Sequence, residues 1–316
     1  MTNQRYVVAA TFVVVCVVVA GAAGQQNRSN QFQGVELTTV HVAGNVHMVQ
    51  RPGGGANVGV FVGPEGVLLV DSLFAPLADR LVAAVGEISD GEIRFLINTH
   101  VHMDHIGGNE PLASQGVLIF AHDNVRVRAL ERLRFPRFGG RFSPQPPEGA
   151  RPVVTYNDQV SFHLNGEEVR AFHAPPAHTD GDTFVYFPDS DVLHLGDVFR
   201  TTSYPIIDVY NGGTLAGTIE ALEMAIDMAG PRTKVIPGHG LRIVGRDAMV
   251  EFLDMIIDVR DQVRTMISEG KPLDEVMAAR PTAAYDAAWG QEASWTANDF
   301  VPIVYHELGG GALYVQ

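Results

Sequence analysis

A single cysteine, Cys16, among 316 residues rules out an intrachain disulfide and leaves almost no thiolate chemistry to consider. Cys16 lies inside an apolar run, directly after Val13-Val14-Val15, whereas a lipid-attachment cysteine normally ends such a run behind small residues. It reads as a small hydrophobe. Basic residues are also scarce: Lys and Arg total 22 against 36 Asp and Glu, a formal charge of −14. Such a surface repels polyanions, so nucleic acid is not an expected partner, and solubility alone accounts for the acidity. Gly-x-Ser-x-Gly is absent, which removes the usual serine-nucleophile turn. No long repeat or low-complexity block occurs, and 46% hydrophobic with 18% charged residues is the composition of an ordinary globular protein.

The first residues differ in kind from the rest. Arg5 precedes an almost unbroken apolar run over 7–20, and Ala20-Gly21-Ala22-Ala23-Gly24 follows. A basic start, a short apolar stretch and a small-residue exit describe a secretory signal peptide. The run falls short of the roughly 20 apolar residues that span a bilayer, so the reading is a signal over 1–24 removed near Gly24, with a retained anchor as the alternative. The expected product is secreted or periplasmic, has no stable membrane span, and contains no cysteine.

Alternation and turn residues predict strands over 35–42, 46–50, 58–62 and 67–70, the last ending at Asp71. A helix is expected over 75–88, a strand over 93–98, a short helix from Asn109, a strand over 117–120 and a helix over 124–133. Residues 135–151, rich in Pro, Gly and Arg, read as a long surface loop of the kind that often carries binding elements. Strands resume over 153–155, 159–164, 168–171, 183–187 and 192–195. Then come helix 215–228, strand 234–236, an amphipathic helix over 248–268, and shorter helices over 273–279 and 297–308. Each half is a run of antiparallel strands followed by strand–helix alternation. The expected fold is therefore α/β, a four-layer αββα sandwich, with 25–316 forming one domain whose helical tail has no core of its own.

The segment Thr99-His100-Val101-His102-Met103-Asp104-His105-Ile106-Gly107-Gly108 follows the 93–98 strand directly. His100 and His102 share one direction on an extended backbone, because side chains alternate with a period of two. Asp104 and His105 fall where the chain turns toward a helix and address a second point. Imidazole nitrogen with carboxylate oxygen suits zinc and other borderline cations. Four such groups at one strand end mark a metal site.

This His-x-His-x-Asp-His segment resembles the central motif of the metallo-β-lactamase superfamily, and the other motifs occur in the expected order. Leu68-Leu69-Val70-Asp71 is similar to the early strand ending in aspartate. Ala177-His178-Thr179-Asp180-Gly181-Asp182 is similar to the segment giving a third histidine. Leu195-Gly196-Asp197 resembles the strand-end aspartate, and Pro237-Gly238-His239-Gly240 the final ligand segment. The resemblance covers roughly 35–243. It implies one metal on His100, His102 and His178, a second on Asp104, His105 and His239, and Asp197 as the bridge. Asp71 is implied as the hydrogen-bonding support of a ligand. Thr179 and Asp182 are weaker supporting candidates, with a cap on the turn after His178 as the alternative. His41, His47, His122, His163, His173, His194 and His306 are expected to be structural.

The implied activity is that of a metal-dependent hydrolase. Two cations, zinc or else iron or manganese, would share a hydroxide oriented by Asp104, which attacks a carbonyl of a small-molecule ester, lactone, thioester or amide. Aspartate at position 197 resembles glyoxalase II and the lactonases, since β-lactamases of the superfamily typically carry cysteine or serine there. A β-lactam-hydrolysing enzyme is the alternative within the family, and a non-enzymatic periplasmic metal-binding protein the alternative outside it. The acidic, alanine-rich tail does not resemble the basic glutathione-binding domain of glyoxalase II. Phe135, Phe138, Phe142 and Tyr204 are candidate apolar contacts for the substrate, and Arg134, Arg137 and Arg141 candidates for an anionic group. A solvated loop with a few packed aromatics is the alternative. Trp289 and Trp295 are expected to pack the tail.

Overall fold

Fourteen strands are described: β1 Thr38–Ala43, β2 Val46–Gln50, β3 Val58–Phe61, β4 Val67–Val70, β5 Ile93–Ile97, β6 Leu118–His122, β7 Arg134–Phe135, β8 Arg141–Phe142, β9 Val154–Tyr156, β10 Gln159–Leu164, β11 Glu167–His173, β12 Thr183–Phe187, β13 Val192–His194 and β14 Lys234–Ile236. They come from a computed structural model that describes residues 32–135 and 141–311. The expected signal segment 1–24, together with Arg137 and Phe138, lies outside the described residues, as do the side chains of Phe135 and Arg141. The chain divides into units 1–35 and 36–316, and the fold below is that of the second.

Twelve of the strands fall in two halves of similar plan. In the first sheet, ordered β1-β2-β3-β4-β5-β6-β9, the strands from β1 to β4 pair antiparallel, and β4, β5, β6 and β9 pair parallel. In the second, ordered β10-β11-β12-β13-β14, only β13 and β14 are parallel. Wholly buried β4 and β13 each have a parallel neighbour, as the covering of both sheet faces allows. All four residues of β4 are buried, with Leu68 and Val70 among the side chains packed between the sheets. Phe61 meets Phe187 at 5.6 Å between ring centroids, and Phe162 sits 4.7 Å from Phe120, so aromatic rings stitch one sheet to the other.

The outer face of the second sheet, through Phe184, Leu193 and Val235, packs on helices Leu215–Met228 and Arg246–Ser268. Val276 of helix Leu273–Ala279, Trp295, and Phe300 and Val304 of helix Ala297–Glu307 join that same cluster. On the first sheet, helix Asn109–Ala113 packs against β6, and helix Asp123–Arg128 against β6 and β9. The layers run helix, sheet, sheet, helix, which is the α/β sandwich expected from the pattern.

Departures from expectation are local. The helix expected over 75–88 opens as a single tight turn, Ala75–Leu77, set by Pro76, before continuing as Ala78–Gly86. The 124–133 helix ends at Arg128, and the long loop after it contains the β7–β8 hairpin and a turn at Glu148–Ala150. What the topology achieves is an edge. The carboxyl ends of β4, β5, β13 and β14 deliver Asp71, His100, Asp197 and His239 to one rim of the sandwich, where ligands of parallel sheets generally bind.

Candidate metal centre

Beyond β5 the chain bends through Thr99, His100 and Val101, not the extended run expected there, and is extended at His102, which caps the short helix Met103–Ile106 with φ −70° and ψ 147°. That change of conformation separates the four groups as the spacing demanded. His100 and His102 converge with His178, while Asp104 and His105 converge with His239, and a third grouping joins His100, His105 and Asp197. Within each trio, one ligand atom from every residue lies within 4.8 Å of the others. His178 Nε2 stands 2.9 Å from His102 Nδ1, and His105 Nε2 3.4 Å from His239 Nε2. Asp197 spans both sides: Oδ1 is 3.3 Å from His105 Nε2, and Oδ2 is 3.3 Å from His239 Nε2 and 3.8 Å from His178 Nε2.

The outward nitrogen of each of four histidines has a partner, which fixes the tautomer. Asp208 Oδ2 takes His102 Nε2–H at 2.8 Å, Asp71 Oδ2 takes His105 Nδ1–H at 2.7 Å, and the Ile206 carbonyl takes His178 Nδ1–H. Thr99 donates its hydroxyl to Asp71 at 2.7 Å, so its oxygen is left to accept from His100 Nδ1 at 3.0 Å. The inward atoms of three rings are therefore lone pairs, Nε2 of His100 and His178 and Nδ1 of His102, and His105 turns its Nε2 inward beside them. Among the described residues His100 Nε2 is fully buried with no hydrogen-bond partner. A set of buried imidazole lone pairs facing two carboxylates fits divalent cations, which complete such a donor set.

Charge bears this out. Burial, then the neighbouring imidazoles of His105, His178 and His102, pushes His100 well below its ordinary value. Burial and His102 take His178 down to about 3, so both rings stay neutral and able to donate lone pairs. At His105 burial opposes protonation, but Asp197, Asp71 and Asp104 outweigh it and raise the ring well above its usual range. Burial likewise works against ionised Asp104 and Asp197, yet the facing imidazoles, with Arg200 beside Asp197, hold both carboxyls far down. The carboxylates demand positive charge at this spot.

The supporting residues are specific. Asp71 adopts φ +69°, a left-handed backbone that aspartate tolerates, and its two oxygens hold Thr99 N, Thr99 Oγ1 and His105. Asp182 accepts from His178 N, Thr179 N and Thr179 Oγ1, so this pair fastens the turn that carries His178; burial raises its carboxyl to about 7. The His239 loop is gripped by Asn57, whose Nδ2 donates to the carbonyls of Pro237 at 2.9 Å and Gly240 at 2.8 Å.

Asp208, Asn57 and Arg200 carry no motif and were not expected at the site. Their signal is spatial, although a buried Asn, Asp or Arg in a loop without periodicity is a residue type to question. Tyr204 is corrected: it is fully buried, stacked on Phe300 with ring centroids 5.5 Å apart, and its hydroxyl donates to Asp286 Oδ1 at 2.7 Å. Core packing of the tail holds it, so it is not an accessible wall for a substrate. Phe142 is 58% exposed on the hairpin, under the Arg132 guanidinium at 5.4 Å. Trp295 is buried and donates to the Pro205 carbonyl, and Trp289 packs on Phe252. His173 stacks flat on His122 at 3.7 Å.

The model of a family described as the metallo-beta-lactamase superfamily matches residues 51–239, a stretch that contains all seven converging side chains. The chain belongs to the metallo-beta-lactamase superfamily. Within it, the chain is 25% identical over 252 residues to a linear primary-alkylsulfatase of Pseudomonas sp., covering 68% of this chain and 48% of that one. It is 24% identical over 196 residues to the alpha subunit of a 2,4-dinitroanisole O-demethylase of Nocardioides sp., with 60% and 54% covered. It is 28% identical over 185 residues to a hydroxyacylglutathione hydrolase of Brucella ovis, with 58% and 62% covered. The chain thus spans roughly half to three-fifths of these relatives' length. Among solved structures, a metallo-beta-lactamase from Pontibacter korlensis superposes with TM-score 0.58 at 17% identity, over 71% of this chain and all of that one. A stereoselective inverting sec-alkylsulfatase of Pseudomonas sp. gives 0.63 at 16% identity, over 86% and 50%. These likenesses carry the family's fold.

Proposed function

We propose that this chain is a two-cation hydrolase of small molecules. The observation that carries the reading is the pair of ligand groups, one of three histidines and one of Asp104, His105 and His239, with Asp197 reaching both. His100, His102 and His178 would hold the first cation, Asp104, His105 and His239 the second, and Asp197 would be shared. Zinc suits the nitrogen-rich donor set, and iron or manganese would be accepted by the same atoms. Bound there, divalent cations supply Lewis acidity toward a substrate oxygen and lower the pKa of water into the neutral range.

The residues decide where that chemistry opens. His105, His178 and Asp197 side chains are at most 3% exposed, whereas Asp104 is 25% exposed, His102 13% and His239 10%. Substrate and water therefore meet the centre on the Asp104 side. The Asp104 carboxylate accepts a hydrogen bond from the attacking water and turns its lone pair toward the substrate. Asp71 and Asp208 hold His105 and His102 against the rearrangement that a reaction would otherwise impose.

The bond cleaved is read as an acyl bond of an ester, lactone, thioester or amide. The named relatives cleave different bonds, and the sulfatases among them add sulfate esters to the candidates. β-Lactam cleavage ranks below these because aspartate occupies position 197. Residues 1–24 are proposed to direct export.

A panel of chromogenic carboxyl esters, lactones, thioesters, alkyl sulfates and a cephalosporin tests the reading. Turnover of one class, abolished by chelation and restored by zinc, is expected. Chelator-resistant turnover overturns it, and a cation-loaded protein inert to the whole panel favours the non-enzymatic metal-binding alternative.

A further inference from the structure

Arg200 is fully buried one turn beyond Asp197. Its Nη1 donates to Asp197 Oδ2 at 3.2 Å, its Nη2 donates to Glu292 Oε2 at 3.0 Å, and its Nε has no partner among the described residues. As a stabilising device this is poor. A buried guanidinium offsets its desolvation only when its donors are satisfied, and apolar side chains of similar size commonly hold a fold as well or better. Inaccessible to solvent, it cannot touch a substrate either. What remains is its charge, set against the one carboxylate that both ligand groups share.

A positive charge hydrogen-bonded to Asp197 opposes cations there and weakens the carboxylate as a donor. Glu292 acts in the other direction, because it compensates the same guanidinium from its far side. Glu292 belongs to the tail, beyond the residues 51–239 that match the family, and Gly290 nearby bridges to Ser203. The tail thus reaches Arg200, and through it Asp197, by the Glu292 carboxylate.

We propose that Arg200 is a positioning residue that sets the cation affinity of the Asp197 carboxylate, and that Glu292 governs how strongly it does so. This rests on the two-cation reading above. Loss of the 3.2 Å hydrogen bond weakens the hold on Asp197 only modestly, because the turn Gly196–Val198, His105 and His239 also fix it. Relief of repulsion therefore dominates when the guanidinium is removed.

The test is zinc affinity, measured by competition with a chromophoric chelator, for the wild type, R200M, E292Q and the double variant R200M/E292Q. Melting of the zinc-free proteins checks that each folds. R200M and the double variant are expected to bind zinc about tenfold more tightly, and E292Q about threefold to tenfold more weakly. A purely structural role would move R200M and E292Q in the same direction or leave both within about twofold of the wild type, and either result overturns the inference. If R200M does not fold, the double variant, which leaves no unpaired buried charge, carries the same expectation. A wild type that binds no zinc defeats the two-cation reading itself; zinc binding without opposite shifts defeats only the role of Arg200 and Glu292.

Discussion

Asp208 is 106 positions from His102 in the chain, yet its Oδ2 takes the His102 Nε2–H at 2.8 Å. That bond turns the ring so that Nδ1 faces His178 and the centre. Asp208→Ala should lower zinc affinity about 10–100-fold, the usual effect of removing a ligand's carboxylate partner, while Asp208→Asn, which still accepts, should lose far less. Equal losses would make Asp208 only a cap for the Tyr210 and Asn211 amides that its Oδ1 also holds. His194 offers a separate test. Its Nδ1 accepts from Gly196 N, and burial holds the ring down to about 4. The unfolded chain takes up that proton near pH 6.5, so stability present above pH 6.5 is lost as pH falls toward 4, by roughly 3 kcal/mol over the window. His194→Gln should melt with a shallower pH dependence between 7 and 4.5 than the wild type; identical slopes would remove His194 from the acid response. Histidines and aspartates at fixed short spacing were legible from the chain, because a strand end leaves them few directions. Asp208, Asn57 and Arg200 were not, since each acts across tens of residues on a partner that no local pattern predicts. Tyr204 misled for the complementary reason: no local period around it marks it as buried, but Phe300 and Asp286, far along the chain, draw the ring inward.

At the scale of elements, period-two alternation and buried apolar runs placed most strands to within a residue or two. Helix Leu215–Met228 and strand Lys234–Ile236 coincide with their expected bounds, because each is closed by clear signals: Thr214 caps the helix through Gly217 N, and Pro237 ends the strand. The β7–β8 hairpin escaped, as two residues per strand are too few to show a period. The site depends on how tightly these elements meet. A Cβ at Gly238 would stand 2.2 Å from Asp197 Oδ1 and 2.4 Å from Gly196 O. Gly238→Ala must push β14's exit away from β13's, at a cost of about 1–3 kcal/mol or more. The expected result is a folded protein with a lower melting temperature that has lost cation binding at the Asp104 group. Unchanged zinc affinity would show that the strand ends do not set the centre's geometry.

Across the whole molecule, two similar halves face each other and open their parallel strand ends on one rim, so ligands from both sheets converge without any long excursion of the chain. That plan followed from the order of strands and helices. The role of the tail did not: its helices showed only the lack of a core of their own, whereas Val276, Trp295 and Phe300 share the outer core of the second sheet, and Glu292 reaches Arg200. The central claim is that seven side chains hold two cations in separable groups. Elemental analysis of purified wild type and Asp104→Ala, each equilibrated with zinc and freed of excess, tests it most directly. Close to two zinc ions per chain are predicted for the wild type and close to one for Asp104→Ala, which keeps the three-histidine group intact. One zinc or none in the wild type, or two in Asp104→Ala, would contradict the account.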